Sequence, residues 1–334
     1  MNINNESKHQ LTNTDSELSR QELRLARIKK TKLAHKKRLA FIRIISIILI
    51  LILVLIGFGI YKVLSISSNT NSPSPTSETP ADALVIEIPE EEQPLTFEDV
   101  RPGKNTATTE QHKTNGLAIC MYHFVYDASN PPESVDANYI EQDALREEFQ
   151  YLIDNDYFFP TWEEVRQYID GELNLPEKSV VLTFDDAAQS FLDLGIPIAE
   201  EIGVPITSFV ITSWGGAETV ENYATPYVTF QSHSHDMHKA GGTIGHGGIF
   251  PALSVEDGVA DLKTSIDICG NNEAFAYPFG DYTDTCVEAL KEAGFLCGVT
   301  TEPGRVFPGD NPYLLPRVRM LEGQSLSSFI SRVE

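Results

Sequence analysis

The chain is poor in thiols: its 334 residues include four cysteines. No two of them form a C-x-x-C pair, which removes the commonest thiolate zinc site. Cys120 lies in an apolar run and reads as a buried free thiol. Cys269, Cys286 and Cys297 leave room for one disulfide in an oxidising compartment. No glycine-rich phosphate loop follows a strand-like run, which argues against a nucleotide enzyme. No internal repeat is present, so a structural array is not expected. Positive charge is scarce where the bulk of the chain lies. Of 25 basic and 48 acidic residues, ten and four lie in 1–40, and two basic residues, Arg43 and Lys62, lie in 41–64. That leaves 13 against 44 in residues 65–334, a net of −31. A body this acidic repels a phosphate backbone, so no nucleic acid is expected as partner.

One long apolar run stands out. Ile44 to Tyr61 is interrupted only by Ser46, Gly57 and Gly59 and carries no charge. With its flanks, 41–64 is long enough to cross a bilayer as a helix. Lysines and arginines from Arg27 to Arg38 precede it. Such clusters stay cytoplasmic, so residues 1–40 read as a basic cytoplasmic segment with everything after the span outside the cell. A cleaved signal peptide ending near Ser65-Ile66-Ser67 is the rival, but the run exceeds a usual signal core. Residues 65–115 are rich in Ser, Thr, Pro and Glu and read as a spacer, reaching on the order of 40 Å as a flexible coil. Leu84–Ile88 is a candidate short strand within it.

The folded domain, 116–334, alternates strand and helix patterns. Strand-like runs occur at Leu117–His123, Val180–Phe184, Thr207–Thr212, Val228–Gln231, Ala274–Pro278, Phe295–Thr300 and Leu314–Met320. Helical periodicity covers 141–156, 161–170 (opened by the capping box Thr161-x-x-Glu164), a helix from Ser254, and Thr283–Ala293. Ser190–Ile202 also reads as a helix, broken in its first half by Gly195 and Pro197. The alternation predicts an α/β fold with mostly parallel strands, either a barrel or a doubly wound sheet.

The strand Val180–Phe184 ends in Asp185-Asp186. Adjacent strand residues point to opposite faces, yet at a strand end both carboxylates can reach one pocket. There they repel, which calls for a cation with one acid as ligand and the other free as base. A turn and helix cap is the plainer reading. His233, His235 and His238 follow another strand. The five-residue step from His233 to His238 is about 140° on a helix, so those two share an ion only from a loop or turn. His235 is geometrically able to replace one of them. One Asp and two His form a common zinc set with positions left for water and substrate.

Thr183-Phe184-Asp185-Asp186, His233-x-x-x-x-His238 and Ala276-Tyr277-Pro278-Phe279-Gly280, in that order, resemble the polysaccharide deacetylase family (carbohydrate esterase family 4, the NodB homology domain) over residues 117–320. The resemblance implies a deformed (β/α) barrel and metal-dependent removal of acetyl groups from sugars. It implies Asp185 as catalytic base, Asp186, His233 and His238 as metal ligands, and the Phe279 N–H beside Tyr277 at the oxyanion and substrate side. Zinc is the expected ion, though cobalt and nickel suit the same donors.

The longer histidine spacing resembles the branch acting on poly-N-acetylglucosamine and related surface glycans. The Leu-x-His motif that supplies a general acid in most members is missing. In that branch a histidine ahead of the Asp-Asp pair does the work, and His123 matches. Where many members carry an arginine to orient the base, this chain has Ala276, and Arg317 is the candidate replacement. Ala187 stands where glycine is usual, which is tolerable if the turn avoids the left-handed region. The resemblance extends to membrane-anchored streptococcal wall enzymes. It implies de-N-acetylation of a cell-wall glycan containing N-acetylglucosamine, foremost the sugar linking a wall polysaccharide to peptidoglycan. The peptidoglycan strand, poly-N-acetylglucosamine, or a catalytically inactive glycan-binding relative are the alternatives.

Overall fold

Seven short strands close into a barrel whose hydrogen-bonded neighbours are all parallel, in the order β1-β4-β5-β6-β7-β8-β9. The computed structural model describes residues 100–102 and 114–334. The basic segment 1–40, the apolar span 41–64 and the candidate strand Leu84–Ile88 lie outside the described residues, as does nearly all of the spacer. Among the described residues no helix is long and apolar enough to cross a membrane.

The barrel strands are β1 (Ala118–Tyr122), β4 (Val180–Phe184), β5 (Ile206–Val210), β6 (Val228–Ser232), β7 (Ala274–Ala276), β8 (Cys297–Pro303) and β9 (Leu315–Arg319). A separate pair of three-residue parallel strands, β2 (Phe124–Tyr126) and β3 (Tyr139–Glu141), follows β1. The helices are α1 (Gln142–Asp154), α2 (Trp162–Ile169), α3 (Ile196–Ile202), α4 (Gly216–Tyr223), α5 (Val255–Cys269), α6 (Asp284–Ala293) and α7 (Leu326–Val333). Closure selects the barrel over the doubly wound sheet. Pairing is uneven: β1 and β4 align over five residues, whereas β6 meets β7 only at Ser232 and Phe275 and β8 slips against β9 between Val299 and Pro303. That unevenness is the deformation of the barrel.

Strands β1, β4 and β5 are buried at every position, as expected where both faces of a parallel sheet are covered. Their side chains alternate between two clusters. Ala118, Cys120, Tyr122, Val180, Leu182 and Phe184 pack with α1 and α3. Leu117, Ile119, Val181, Phe209, Ala274, Ala276, Val299 and Leu315 pack together on the barrel's inner side. The two-residue period of a strand therefore assigns alternate residues of β9, Leu315, Arg317 and Arg319, to that inner face.

Local signals held at the helix starts. Thr161 and Glu164 form the reciprocal capping box (Glu164 N–H to Thr161 Oγ1 3.1 Å, Thr161 N–H to Glu164 Oε2 2.8 Å), and Ser254 caps α5 by accepting from the Asp257 N–H. Two expectations need correction. Cys120, Cys269, Cys286 and Cys297 are all free and buried, so there is no disulfide among them. Gly195 and Pro197 do not break the Ser190–Ile202 helix. A π turn, Phe191–Gly195, runs straight into α3. Pro197 follows the π turn directly, and such a bulge lets a helix absorb a residue that cannot donate to its i−4 carbonyl, while a Cβ on Gly195 would come within 2.6 Å of the Phe191 ring.

Candidate active site

The C-terminal ends of the parallel strands converge on a pocket of about 340 Å³ lined by His123, Asp185, Asp186, His233, His238 and Phe279 among others. Ligands of such barrels collect at this end because every strand delivers the loop that follows it there. A second cavity, about 280 Å³, lies at the opposite ends of β4 and β5 around Trp162, Leu182 and Thr207 and holds none of these groups.

Asp185 leaves β4 with its N–H donated to the Tyr122 carbonyl at 3.0 Å. Its carboxylate is 2 % exposed and receives a two-pronged grip from Arg317: Nη1 to Oδ1 and Nη2 to Oδ2, both 2.7 Å. Arg317 is itself fully engaged, with Nε donating to the Thr300 carbonyl at 2.8 Å and Nη1 to Thr183 Oγ1 at 3.1 Å. Burial alone would raise the Asp185 pKa. The Arg317 charge and its hydrogen bonds win, and hold the carboxyl well below the usual carboxylate range. His123 Nε2 lies 3.9 Å from Asp185 Oδ2. Burial lowers the His123 pKa and outweighs the two neighbouring carboxylates, so the ring is neutral at pH 7.

Asp186 and Ala187 follow with φ of 70° and 50°. Two successive left-handed residues turn the chain sharply, and this lets Asp186 face the pocket beside Asp185. Ala187 thus occupies the conformation that the sequence reading had it avoid. A β-carbon costs roughly 1–2 kcal/mol there, which is why glycine is the natural residue.

His233, at the end of β6, fixes its own tautomer: Nδ1 donates to the Ala276 carbonyl at 2.7 Å, which leaves the Nε2 lone pair facing Asp186. His233 Nε2 and His238 Nε2 each lie 3.5 Å from Asp186 Oδ1, and one donor atom from each of the three residues falls within 4.8 Å of the others. His238 reaches the cluster from the loop after β6, its ring 4.9 Å from that of His233 and 4.3 Å from Phe279. Burial and the neighbouring His233 push the His238 pKa down to about 4, so it offers a neutral imidazole. Burial opposes charge on both members of the Asp186–His233 pair, but their mutual attraction lowers the Asp186 pKa and raises that of His233. His235 is not in the cluster. Its Nδ1 pairs with Thr212 Oγ1 at 3.0 Å and its N–H with Asp261 at 2.7 Å.

Phe279 adopts φ 61° within the turn after β7. Tyr277 lines the same pocket, with its hydroxyl donated to the Tyr313 carbonyl at 3.0 Å. The structure adds lining residues that the motifs did not reveal: Phe124, Asn138, His246, Thr301 and Arg319. His246 is placed by Asp281, whose carboxylate accepts from the His246 and Gly248 N–H groups at 2.8 and 2.9 Å. Arg319 was the legible one, standing two residues beyond Arg317 on one strand face.

Three comparisons with known proteins show what the chain is similar to. The family model for polysaccharide deacetylase matches residues 172–298. The chain is 27% identical over 265 residues to a poly-beta-1,6-N-acetyl-D-glucosamine N-deacetylase of Staphylococcus epidermidis, covering 71% of this chain and 89% of that protein. It is 26% identical over 236 residues to its Staphylococcus aureus counterpart, covering 62% and 80%. Among solved structures, the Streptococcus pyogenes deacetylase PplD in complex with acetate has a TM-score of 0.58 at 24% identity, covering 66% of this chain and 100% of that one. A polysaccharide deacetylase from Bacillus cereus has a TM-score of 0.53 at 20% identity, covering 66% and 69%. At those identities the structural likeness is one of fold.

Proposed function

We propose that this chain, which carries a polysaccharide deacetylase domain, hydrolyses the N-acetyl group of N-acetylglucosamine in a cell-wall glycan and requires a divalent metal, zinc first, to do so. The observation that carries the reading is a carboxylate held ionised by Arg317 beside a separate three-donor cluster. The donors fit an ion. A tetrahedral zinc with bonds of about 2.0–2.1 Å separates its ligands by about 3.3 Å, close to the 3.5 Å from Asp186 Oδ1 to either histidine Nε2. The fixed His233 tautomer and the neutral His238 supply two lone pairs, and Asp186 the negative charge.

An ion held there supplies Lewis-acid polarisation of the acetyl carbonyl and acidifies a water molecule. The chain's own residues do the rest. Asp185 accepts a proton from the attacking water. Because Arg317 makes Asp185 a weak base, it holds that proton only briefly. His123, neutral at rest and 3.9 Å away, takes it and gives it to the nitrogen as the C–N bond breaks. Water is consumed, and acetate and a free amine leave. By the family resemblance, the Phe279 N–H, on a turn with φ 61°, is the donor to the developing oxyanion.

The domain acts outside the cell, tethered by the apolar span 41–64, so its glycan is built or anchored near the membrane. The leading substrate is the N-acetylglucosamine linking a wall polysaccharide to peptidoglycan. Poly-β-1,6-N-acetylglucosamine is a second reading, favoured by what the staphylococcal relatives are named for. Nitrous acid cleaves at free glucosamine. It should release polysaccharide from wild-type walls and not from walls of a deletion strain. Equal release from both, together with acetate liberated from purified poly-β-1,6-N-acetylglucosamine, would transfer the activity to the second substrate.

A further inference from the structure

Arg317 and Arg319 sit on the same, inward face of β9. Arg317 is 1 % exposed and neutralised by Asp185. Arg319 lies one pleat higher, opposite Met121 of β1 in the parallel register, where the barrel interior opens. It is exposed and lines the mouth of the active-site pocket with His123, Phe124 and Asn138. Its charge is treated differently from those of the other described arginines with recorded contacts. Arg101, Arg146, Arg166 and Arg317 pair with carboxylates. Arg305 and Arg332 donate to backbone carbonyls. Arg319 donates to the side-chain oxygen of Asn138, a neutral group, and among the described residues no carboxylate lies within 4.0 Å of it. Asn138 is held in turn: its carbonyl accepts from the Phe124 N–H at 3.1 Å and its own N–H donates to Asp136 at 2.8 Å. A guanidinium has five donors in a rigid fork, and one small amide oxygen leaves most of them available to the pocket. In a chain with 48 acidic and 25 basic residues, an uncompensated cation at this one mouth is selective placement.

We propose that Arg319, steadied by Asn138, is an anion subsite. The enzyme then recognises an N-acetylated sugar that carries a negative group, a phosphodiester or a carboxylate, on the sugar unit next to the acetyl group it removes. Arg is suited to either oxyanion because two parallel N–H donors match two oxygens. This deepens the reading above and rests on it. It also gives a reason for an acidic protein to accept an anionic glycan: the attraction is local, and the repelling charge is spread over the surface.

The test compares three ligand pairs in the full, metal-loaded chain. They are methyl N-acetylglucosaminide, its phosphodiester with a neutral alcohol, and a disaccharide whose neighbouring sugar bears a lactyl carboxylate, each with its deacetylated product. Turnover is read as kcat/KM, and product affinity by calorimetry. The wild type should prefer one anionic member over the neutral one about tenfold in both readouts, and the preference should shrink between 50 and 500 mM salt. Which anion wins separates phosphodiester from carboxylate. Arg319→Gln should abolish the ratio, Arg319→Lys should keep part of it, and Arg319→Glu should invert it. A wild type without preference, or Arg319→Gln with the wild-type ratio, overturns the proposal. So does an equal loss of kcat on neutral and anionic substrates, which would assign Arg319 to the acetyl group. If no substrate is turned over, the deacetylase reading fails, while the product affinities still decide whether the subsite exists.

Discussion

Replacing Arg317 by glutamine tests the centre of the site. The substitution removes two 2.7 Å charge-assisted hydrogen bonds from a carboxylate that is 2 % exposed, along with the bonds to Thr183 and Thr300. Removing one partner of a buried ion pair costs about 3–5 kcal/mol, because the other charge is left unmatched. The pH dependence fixes the cause. In the wild type the Asp185 pKa is depressed. Its contribution is therefore present above the unfolded value of about 3.9 and is lost as pH falls through the lower folded value. In the variant, burial acts without a cation and raises the pKa. The penalty then appears as pH rises past about 4, and protonation relieves it below. The stability difference should accordingly be present already at pH 4, where the wild-type pair is intact, and grow toward pH 7 as the variant's buried carboxyl is forced to ionise. Urea denaturation of the metal-free protein from pH 4 to 8, with unchanged m-values, measures it. Adding Asp185→Asn to the variant should recover at least half of the loss, since neither charge is then buried alone. A difference under about 1 kcal/mol that does not vary with pH would refute the argument that Arg317 keeps Asp185 ionised.

Four further outcomes are expected. Asp186→Asn and His238→Ala should each lose stoichiometric metal in equilibrium dialysis, whereas His235→Ala should keep it; a fully loaded His238→Ala protein would remove His238 from the site. His123→Ala should retain metal and fold but lose about 10²–10⁴-fold in kcat, and a near-normal rate would show that the leaving amine takes its proton from another group. Glu148, buried against Tyr122 and Gln324, has its pKa raised by burial to about 7. Its stabilising neutral form is lost as pH rises from about 4.5 toward 7, at a cost of up to about 3 kcal/mol, so Glu148→Gln should gain on the wild type in melting temperature across that window; a constant offset would contradict it. Ala187→Gly should raise stability by about 1 kcal/mol in the same urea assay, because φ of 50° suits glycine; a loss would mean the Ala187 methyl packs better than the backbone relaxes.

Much of the barrel was legible because parallel strands buried on both faces read as short apolar runs between helical periods, as in Val180-Val181-Leu182-Thr183-Phe184. The pair β2 and β3 was not. Three-residue strands show no period, and their pairing bridges a loop. The signals of α7, Ser325 as cap and Leu326, Phe329, Ile330 and Val333 on a common side, were present in the sequence but lie beyond the last recognisable motif. Whether Cys269, Cys286 and Cys297 pair was left open, because spacing along a chain says nothing of Cβ separation. The turn at Ala187 was misjudged. Alanine is a poor guide to a left-handed residue, and only the need to bring both aspartates into one pocket reveals it. Residue types alone left His235 able to replace His238, and the family resemblance named Asp186, His233 and His238; these are the three whose donor atoms the structure brings within 4.8 Å of one another. One step of the chain turns His235 to Thr212 and Asp261.

The arginine shows why a site can keep its chemistry while its motif changes. Ala276 is fully buried on β7, and its carbonyl, not its side chain, serves the site by fixing the His233 ring. The guanidinium comes instead from β9. In a linear sheet β9 and β4 would be far apart, but closure makes β1 the neighbour of both. A side chain on the inner face of β9 therefore crosses the barrel to Thr183 and Asp185. What the buried carboxylate requires is a cation beside it, and any inward position within an arginine's length supplies one. Once Arg317 fills that place, the next inward position on β9 is already outside the packed core. The same two-residue step that hides Arg317 exposes Arg319. A strand ending Arg-x-Arg thus buries one charge against the carboxylate below and leaves the other at the mouth of the pocket. The barrel's inner face, more than any single motif, decides which charge does which.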